Sequence, residues 1–193
     1  MPTLSRIAIC MLLLTGTGLL RAQATSPRNT ALDGDLSVSY ISERSLKAGT
    51  SDSFWMEGGS AELAFNLSHG VGIAADYTGT HATSIGNSGV PLTLAVITIG
   101  PRYRWHASKR ISIYGEGLVG VATGSNSVFP NISGSISNAN SWAWQAGGGL
   151  DCRLTPHFAI RALDVGYTRT ELPNATNNVQ NLLKLGAGIV LRF

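Results

Sequence analysis

The chain has 193 residues, enough for one domain, of which 44% are hydrophobic, only 13% charged and 23 are glycine. Ordinary soluble domains carry roughly 25% charged residues, and beyond the N-terminal segment no run reaches the roughly 18 apolar residues of a spanning helix. The apolar residues are instead spread in alternation. The formal net charge is +3, which is no argument for nucleic-acid binding because part of it sits in a segment with the character of a targeting signal.

That segment is residues 1–24. Arg6 is a positive start, Ile7 to Leu20 an apolar stretch, and Ala22-Gln23-Ala24 a small-x-small cleavage site. Its removal takes away Arg6 and Arg21 and no acids, leaving 12 basic and 11 acidic residues. Cys10 leaves with it. Cys152 then stands alone, so the mature chain has no intramolecular disulfide. Cys152 alternates with Leu150 and Leu154 as a small apolar residue.

After a short lead over 25–32, eight stretches read as strands, because side chains of one character recur at every second residue. The first is Asp33–Arg44, with Leu36, Val38 and Tyr40 against Asp35, Ser37 and Ser39. The second, Phe54–Leu67, sets Ala61, Leu63 and Phe65 against Ser60, Glu62 and Asn66. The third, Val71–Ala82, sets Ile73, Ala75 and Tyr77 against Gly72, Ala74, Asp76 and Thr78. The fourth, Pro91–Trp105, is apolar on both parities near its centre, so its facing stays open. The fifth, Ile111–Thr123, sets Ile113, Val119 and Val121 against Ser112, Tyr114 and Glu116. The sixth, Ser141–Leu154, sets Trp142, Trp144, Leu150 and Cys152 against Gln145, Gly147, Asp151 and Arg153. The seventh, Phe158–Thr170, loses its alternation near Leu163-Asp164, where a bulge is expected. The last, Lys184–Phe193, sets Leu185, Ile189, Leu191 and Phe193 against Lys184, Gly186, Gly188 and Arg192.

The connections alternate in length. Ser68-His69-Gly70, His106–Arg110 and Thr155-Pro156-His157 are short turns, while Ser45–Ser53, Thr83–Val90, Gly124–Asn140 and Glu171–Gln180 are longer polar loops. Short turns on one side and long loops on the other are the pattern of an all-β, eight-stranded antiparallel up-and-down transmembrane barrel, with turns and both termini on the periplasmic side. Aromatics fall toward the strand ends. Trp55, Tyr77, Trp142, Trp144 and Tyr167, with Phe54, are expected at the outer interface, and Trp105, Phe158 and Phe193, with Tyr103, at the periplasmic one. Glu62, Asp76, Glu116, Asp151, Arg153, Arg161, Lys184 and Arg192 fall opposite the apolar stripes. Near the lipid midplane an Arg or Lys costs about 2–4 kcal/mol, so these residues are expected inside. Eight strands leave a lumen that side chains just fill. Glu62 and Glu116 are the expected partners of Arg153, Arg161 and Lys184.

No catalytic, cofactor or metal pattern is present. His69, His81, His106 and His157 are dispersed. A His81–Ser84 pair at an outer strand end is the nearest approach to a nucleophile, with no acid motif to complete it. Gly147-Gly148-Gly149 lies inside a strand pattern with no helix after it, so it is not a phosphate loop.

Several stretches carry a family resemblance: Gly100-Pro101-Arg102-Tyr103-Arg104, Tyr114-x-Glu116-Gly117-x-Val119-Gly120, Gly147-Gly148-Gly149-Leu150-Asp151-x-Arg153-Leu154, Phe158-Ala159-Ile160-Arg161 and Gly188-Ile189-Val190-Leu191-Arg192-Phe193. Over essentially the whole mature chain they resemble the bacterial outer-membrane β-barrel domain of the outer-membrane protein A and X superfamily. The ending is similar to the signal read by the barrel assembly machinery, with Gly188, Leu191 and Phe193 at matching positions and Gly186 where a polar residue is usual. The resemblance implies outer-membrane lipid and lipopolysaccharide as surroundings. It leads to three expectations for function. The first is a structural or surface-interaction role with exposed outer loops, the second a narrow porin-like channel for ions or small solutes, and the third an outer-membrane lipid-modifying enzyme. The last strand is expected to close the barrel against Leu36–Tyr40.

Overall fold

A computed structural model describes residues 33–46, 53–132, 134–174 and 177–193. The expected signal segment and the lead that follows it lie outside these residues. Among them are ten strands and no helix: β1 (Asp33–Ser45), β2 (Phe54–Ser68), β3 (Val71–Ala82), β4 (Leu92–His106), β5 (Ile111–Ser125), β6 (Phe129–Asn131), β7 (Gly134–Ile136), β8 (Ala139–Arg153), β9 (Phe158–Thr170) and β10 (Gln180–Arg192). Eight of them close into one antiparallel barrel in the order β1-β10-β9-β8-β5-β4-β3-β2, and β6-β7 forms a separate hairpin. That hairpin lies within the loop expected over Gly124–Asn140. β10 also begins four residues before the expected Lys184.

Closure is made by the last strand on the first, with Leu36 opposite Leu191, Val38 opposite Ile189 and Tyr40 opposite Ala187. Pairing runs to the chain end: Gly34 N–H donates to Phe193 C=O and Phe193 N–H to Gly34 C=O, both at 2.9 Å. A closed sheet has no open edge, so its strands pair with neighbours on both sides and need no water to do so. The short connections and both strand termini share one end of the barrel, and the four long connections share the other. The tightest turn is His69-Gly70, where both residues have positive φ, 52° and 83°. That conformation matches the right-handed twist of the flanking strands. It suits Gly70, whose missing Cβ would press on the Arg104 carbonyl.

The wall is turned inside out relative to a soluble protein. Val38, Ile97, Ile99, Val119, Leu185 and Ile189 stand exposed on the outer surface, far more contiguous apolar area than a soluble monomer shows. Inward positions carry Ser, Thr, Asp, Glu, Arg and Gln. β4 resolves the facing that its sequence left open: Leu94, Val96, Thr98, Arg102 and Arg104 point in, and Ile97, Ile99, Tyr103 and Trp105 point out. Its two faces look alike in sequence because the lumen at the long-loop end is itself apolar. There Met56, Leu94, Val96, Ala122, Phe129, Leu172 and Leu182 form one cluster, with Phe54 packed against it. Phe54 therefore faces the lumen, not the outer aromatic band where its position near the strand start had suggested.

The expected irregularity in the seventh stretch is a bulge at Ala162-Leu163. Asp151 pairs with Arg161 but Leu150 with Leu163, and on the other side Gly188 pairs with Arg161 but Gly186 with Asp164. One extra residue switches the parity, so Arg161 and Asp164 both point inward. Removing residues 184–193 would leave β1 and β9 as open edges, each unpaired backbone group in lipid costing several kcal/mol. The truncated chain is expected to give no heat-modifiable folded band on gels, where the full chain gives one.

Candidate functional site

The inward side chains of the lower and middle lumen form a continuous charge lattice. Among the described residues, buried cations are Arg102, Arg104, Arg161, Lys184 and Arg192, and buried acids are Asp35, Glu43, Glu62, Asp76, Glu116, Asp151 and Asp164. Arg161 is the hub. Its Nη2 lies 3.0 Å from Glu62 Oε1, its Nε 3.2 Å from Asp151 Oδ1 and its Nη1 4.0 Å from Asp164 Oδ2. Arg102 pairs with the same Glu62 oxygen. Nearer the short turns, Arg104 bridges Asp35 and Asp151, the latter at 3.4 Å. Arg192 joins the same two acids at 3.4 and 3.6 Å and donates to Ser112 Oγ at 3.1 Å. Lys184 reaches Asp164 at 3.5 Å.

Tyr114 is the post around which this lattice is built. The Arg102 and Arg161 guanidinium carbons stand 3.9 and 4.4 Å from its ring centre, close enough for cation–π attraction. Its hydroxyl donates to Asp164 Oδ1 at 3.2 Å. Room for the ring comes from Gly149 on β8: a Cβ there would lie 2.7 Å from the Tyr114 oxygen and would also press on the Leu163 carbonyl.

Acids outnumber cations, and the surplus turns to hydroxyls. Thr80 donates to Glu43 at 2.9 Å and Thr78 to Asp76 at 2.8 Å. Glu116 has no hydrogen-bond partner on either carboxylate oxygen among the described residues. It was expected to neutralise a cation. That role falls to Glu62 for Arg161 and to Asp164 for Lys184. Arg153 differs from expectation more sharply. Its parity matches Asp151, yet it is exposed at the last position of β8, beyond the closed part of the lumen. Parity alone does not say how far along a strand the interior extends.

Asp35, Glu43, Arg102, Arg104 and Asp164 belong to the lattice and were not singled out from sequence. Asp35 and Glu43 stand at the ends of an alternating strand. Arg102 and Arg104 lie on the strand of ambiguous facing. Asp164 follows the bulge, whose parity switch was the available signal.

Outside the barrel, Trp55, Tyr77, Trp105, Trp142, Trp144 and Phe193 are exposed, and Phe158 and Tyr167 half-buried. Trp144 packs on Tyr167 with ring centres 5.4 Å apart, and the Tyr167 hydroxyl is 2.6 Å from Asn181 Oδ1. Phe193 meets Phe65 edge-on at 6.4 Å. His81 and Ser84 do not meet. His81 Nδ1 lies 3.0 Å from Thr93 Oγ1, while Ser84 Oγ donates to Gly86 C=O at 2.8 Å and accepts from Gly89 N–H at 2.9 Å. Ser84 is thus a loop-forming residue.

An outward apolar wall, a closed antiparallel sheet and a charge-filled lumen define an integral outer-membrane barrel. The chain belongs to the outer membrane protein beta-barrel domain family, whose model matches residues 9–193. Among solved structures it is similar in fold to neisserial surface protein A (16% identity, 83% of this chain and 97% of that one, TM-score 0.63). It is also similar to Ail, the attachment invasion locus protein of Yersinia pestis, solved in complex with the heparin analogue sucrose octasulfate (19% identity, 84% and 99%, TM-score 0.56). A third is the outer membrane protein OprG of Pseudomonas aeruginosa (11%, 84% and 96%, TM-score 0.52). A search of curated proteins by sequence found no match.

Breaking a buried ion pair by removing one partner costs about 3–5 kcal/mol, whereas exposed surface changes stay within about 0.5 kcal/mol. Arg161→Ala is therefore expected to lower the urea midpoint of unfolding from lipid vesicles strongly and Arg153→Ala hardly at all, read by tryptophan fluorescence. Gly149→Leu should behave like Arg161→Ala, since it evicts the Tyr114 ring.

Proposed function

We propose that this outer-membrane protein has a structural or surface-interaction role, with its long loops outward and its short turns and mature termini in the periplasm. The observation that carries this reading is the ion-pair lattice that spans the lumen from Asp35 and Arg192 through Arg161 to Lys184. A lumen crossed by ion-paired side chains offers ions neither a hydrated path nor a ring of one charge. The part left free to meet other molecules is the loop end. The His81–Ser84 pair that a lipid-modifying activity would use is not assembled, each residue having other partners.

The same reading gives the outer surface its meaning. Trp55, Tyr77, Trp142, Trp144 and Tyr167 anchor the wall at the outer interface, and Trp105, Phe158 and Phe193 at the periplasmic one. Its surroundings are outer-membrane lipid and lipopolysaccharide. Residues 1–24 direct export and are removed. Gly188, Leu191 and Phe193 present the assembly signal to the barrel assembly machinery.

In planar bilayers the purified protein is expected to show no stable, sizeable openings. Openings that change on Glu116→Ala would establish the narrow-pore reading in its place. Protease added to intact cells is expected to cut within 124–140 and to spare 155–157, and cutting at 155–157 from outside would invert the topology.

A further inference from the structure

Above the charge lattice the lumen changes character. At the long-loop end lies a cavity of about 250 Å³ whose walls include Phe54, Met56, Leu94, Phe129, Leu172 and Leu182. Among the described residues no Asp, Glu, Lys or Arg lines it. Its polar wall atoms are largely spent on one another. The Gln180 side-chain oxygen accepts from Thr170 Oγ1 at 2.8 Å and from Leu172 N–H at 3.0 Å, and its amide nitrogen donates to Leu172 C=O at 2.8 Å. A guest therefore meets apolar surface and few free donors or acceptors.

The cavity is blind. Its floor is Met56, whose sulfur rests 3.9 Å from Thr80 Oγ1, and that hydroxyl is itself committed to Glu43. Below these stand Tyr114 and the ion pairs. Part of the wall comes from β6, where Phe129 drops into the lumen. Gly124 makes room for it, since a Cβ there would lie 2.5 Å from the Phe129 ring and 3.3 Å from Leu172 Cδ1. One edge of the cavity is thus set by a short hairpin inside a long loop, and the rest by barrel strands.

We propose that this mouth is a binding site for one small uncharged apolar molecule, an aromatic ring or a short alkyl chain, held and not passed on. Size supports it: an apolar cavity of about 150 Å³ in another protein takes up benzene, and this one is larger. Chemistry supports it as well. A charged guest would lose its hydration with no counter-ion among the described wall residues to replace it, whereas an apolar guest gains the contact area that drives binding. The site does not depend on which side of the membrane the loops face, so it stands or falls separately from the surface-interaction reading.

The chain supplies its own reporter. Its methionines are Met1, Met11 and Met56, so methyl-13C-methionine labelling gives few signals, and Met56→Leu assigns the one on the cavity floor. The full chain in phosphatidylcholine nanodiscs is titrated with toluene and, separately, with benzoate. The expected result is a saturable shift of the Met56 methyl with toluene and none with benzoate. Leu94→Trp, which fills the cavity, should weaken the toluene response about tenfold or more while the gel heat-shift of the folded barrel persists. A toluene shift that rises linearly without saturating reports partition into the bilayer and overturns the proposal. So does equal saturation by benzoate, or a Leu94→Trp barrel that folds and responds unchanged. The toluene and benzoate comparison on the unmodified chain decides the matter even where the variant fails to fold.

Discussion

One guanidinium in contact with three carboxylates governs the interior of this barrel. Arg161 meets Glu62, Asp151 and Asp164 and lies over the ring of Tyr114. Those partners come from β2, β8, β9 and β5, so a single side chain ties together strands that are far apart in sequence. Burying so many charges is costly unless each is met by an opposite one. The lattice meets that condition for its four arginines and Lys184 by sharing acids, with Glu62 serving two arginines and Asp151 three. Arg suits such sharing because its planar fork donates in several directions at once.

The lattice depends in turn on backbone details that carry no charge. The Ala162-Leu163 bulge aims both Arg161 and Asp164 inward, at a spacing that regular alternation forbids. Gly149 leaves the volume that Tyr114 occupies. Without the bulge Asp164 would face lipid, and Lys184 would lose its nearest acid. Gly149 is the direct pair partner of Tyr114 on the neighbouring strand, so the small residue makes room for the large one beside it.

Two environments are stacked in one lumen. The middle and short-turn end are polar and paired, whereas the long-loop end is apolar, with Phe129 and Leu172 packed into its cluster. The outer surface is uniform by comparison, because the lipid it faces makes the same demand on every strand. The fold is shared with neisserial surface protein A, Ail and OprG at identities of 11–19%. Such low identity fits a constraint on the outward face that many apolar sequences satisfy equally well.

The strand number, the antiparallel order, the sorting of short turns from long loops and the closure of Leu36–Tyr40 by the last strand were all legible in the sequence. The reason is that a lipid-facing wall imposes a period of two on each strand separately, so the signal is local. The family was legible too, because its motifs are those same strands and turns. What each interior residue touches was decided only by the tertiary structure. Glu62 and Arg161 are 99 positions apart, and their meeting depends on barrel closure, register and one bulge together. Arg153 shares the parity of Asp151 yet lies outside the lattice, because parity gives direction and not depth. The facing of β4 and the apolar mouth were hidden for a common reason. Where the lumen is as apolar as the lipid face, alternation disappears from the sequence, and only the assembled barrel tells the two sides apart.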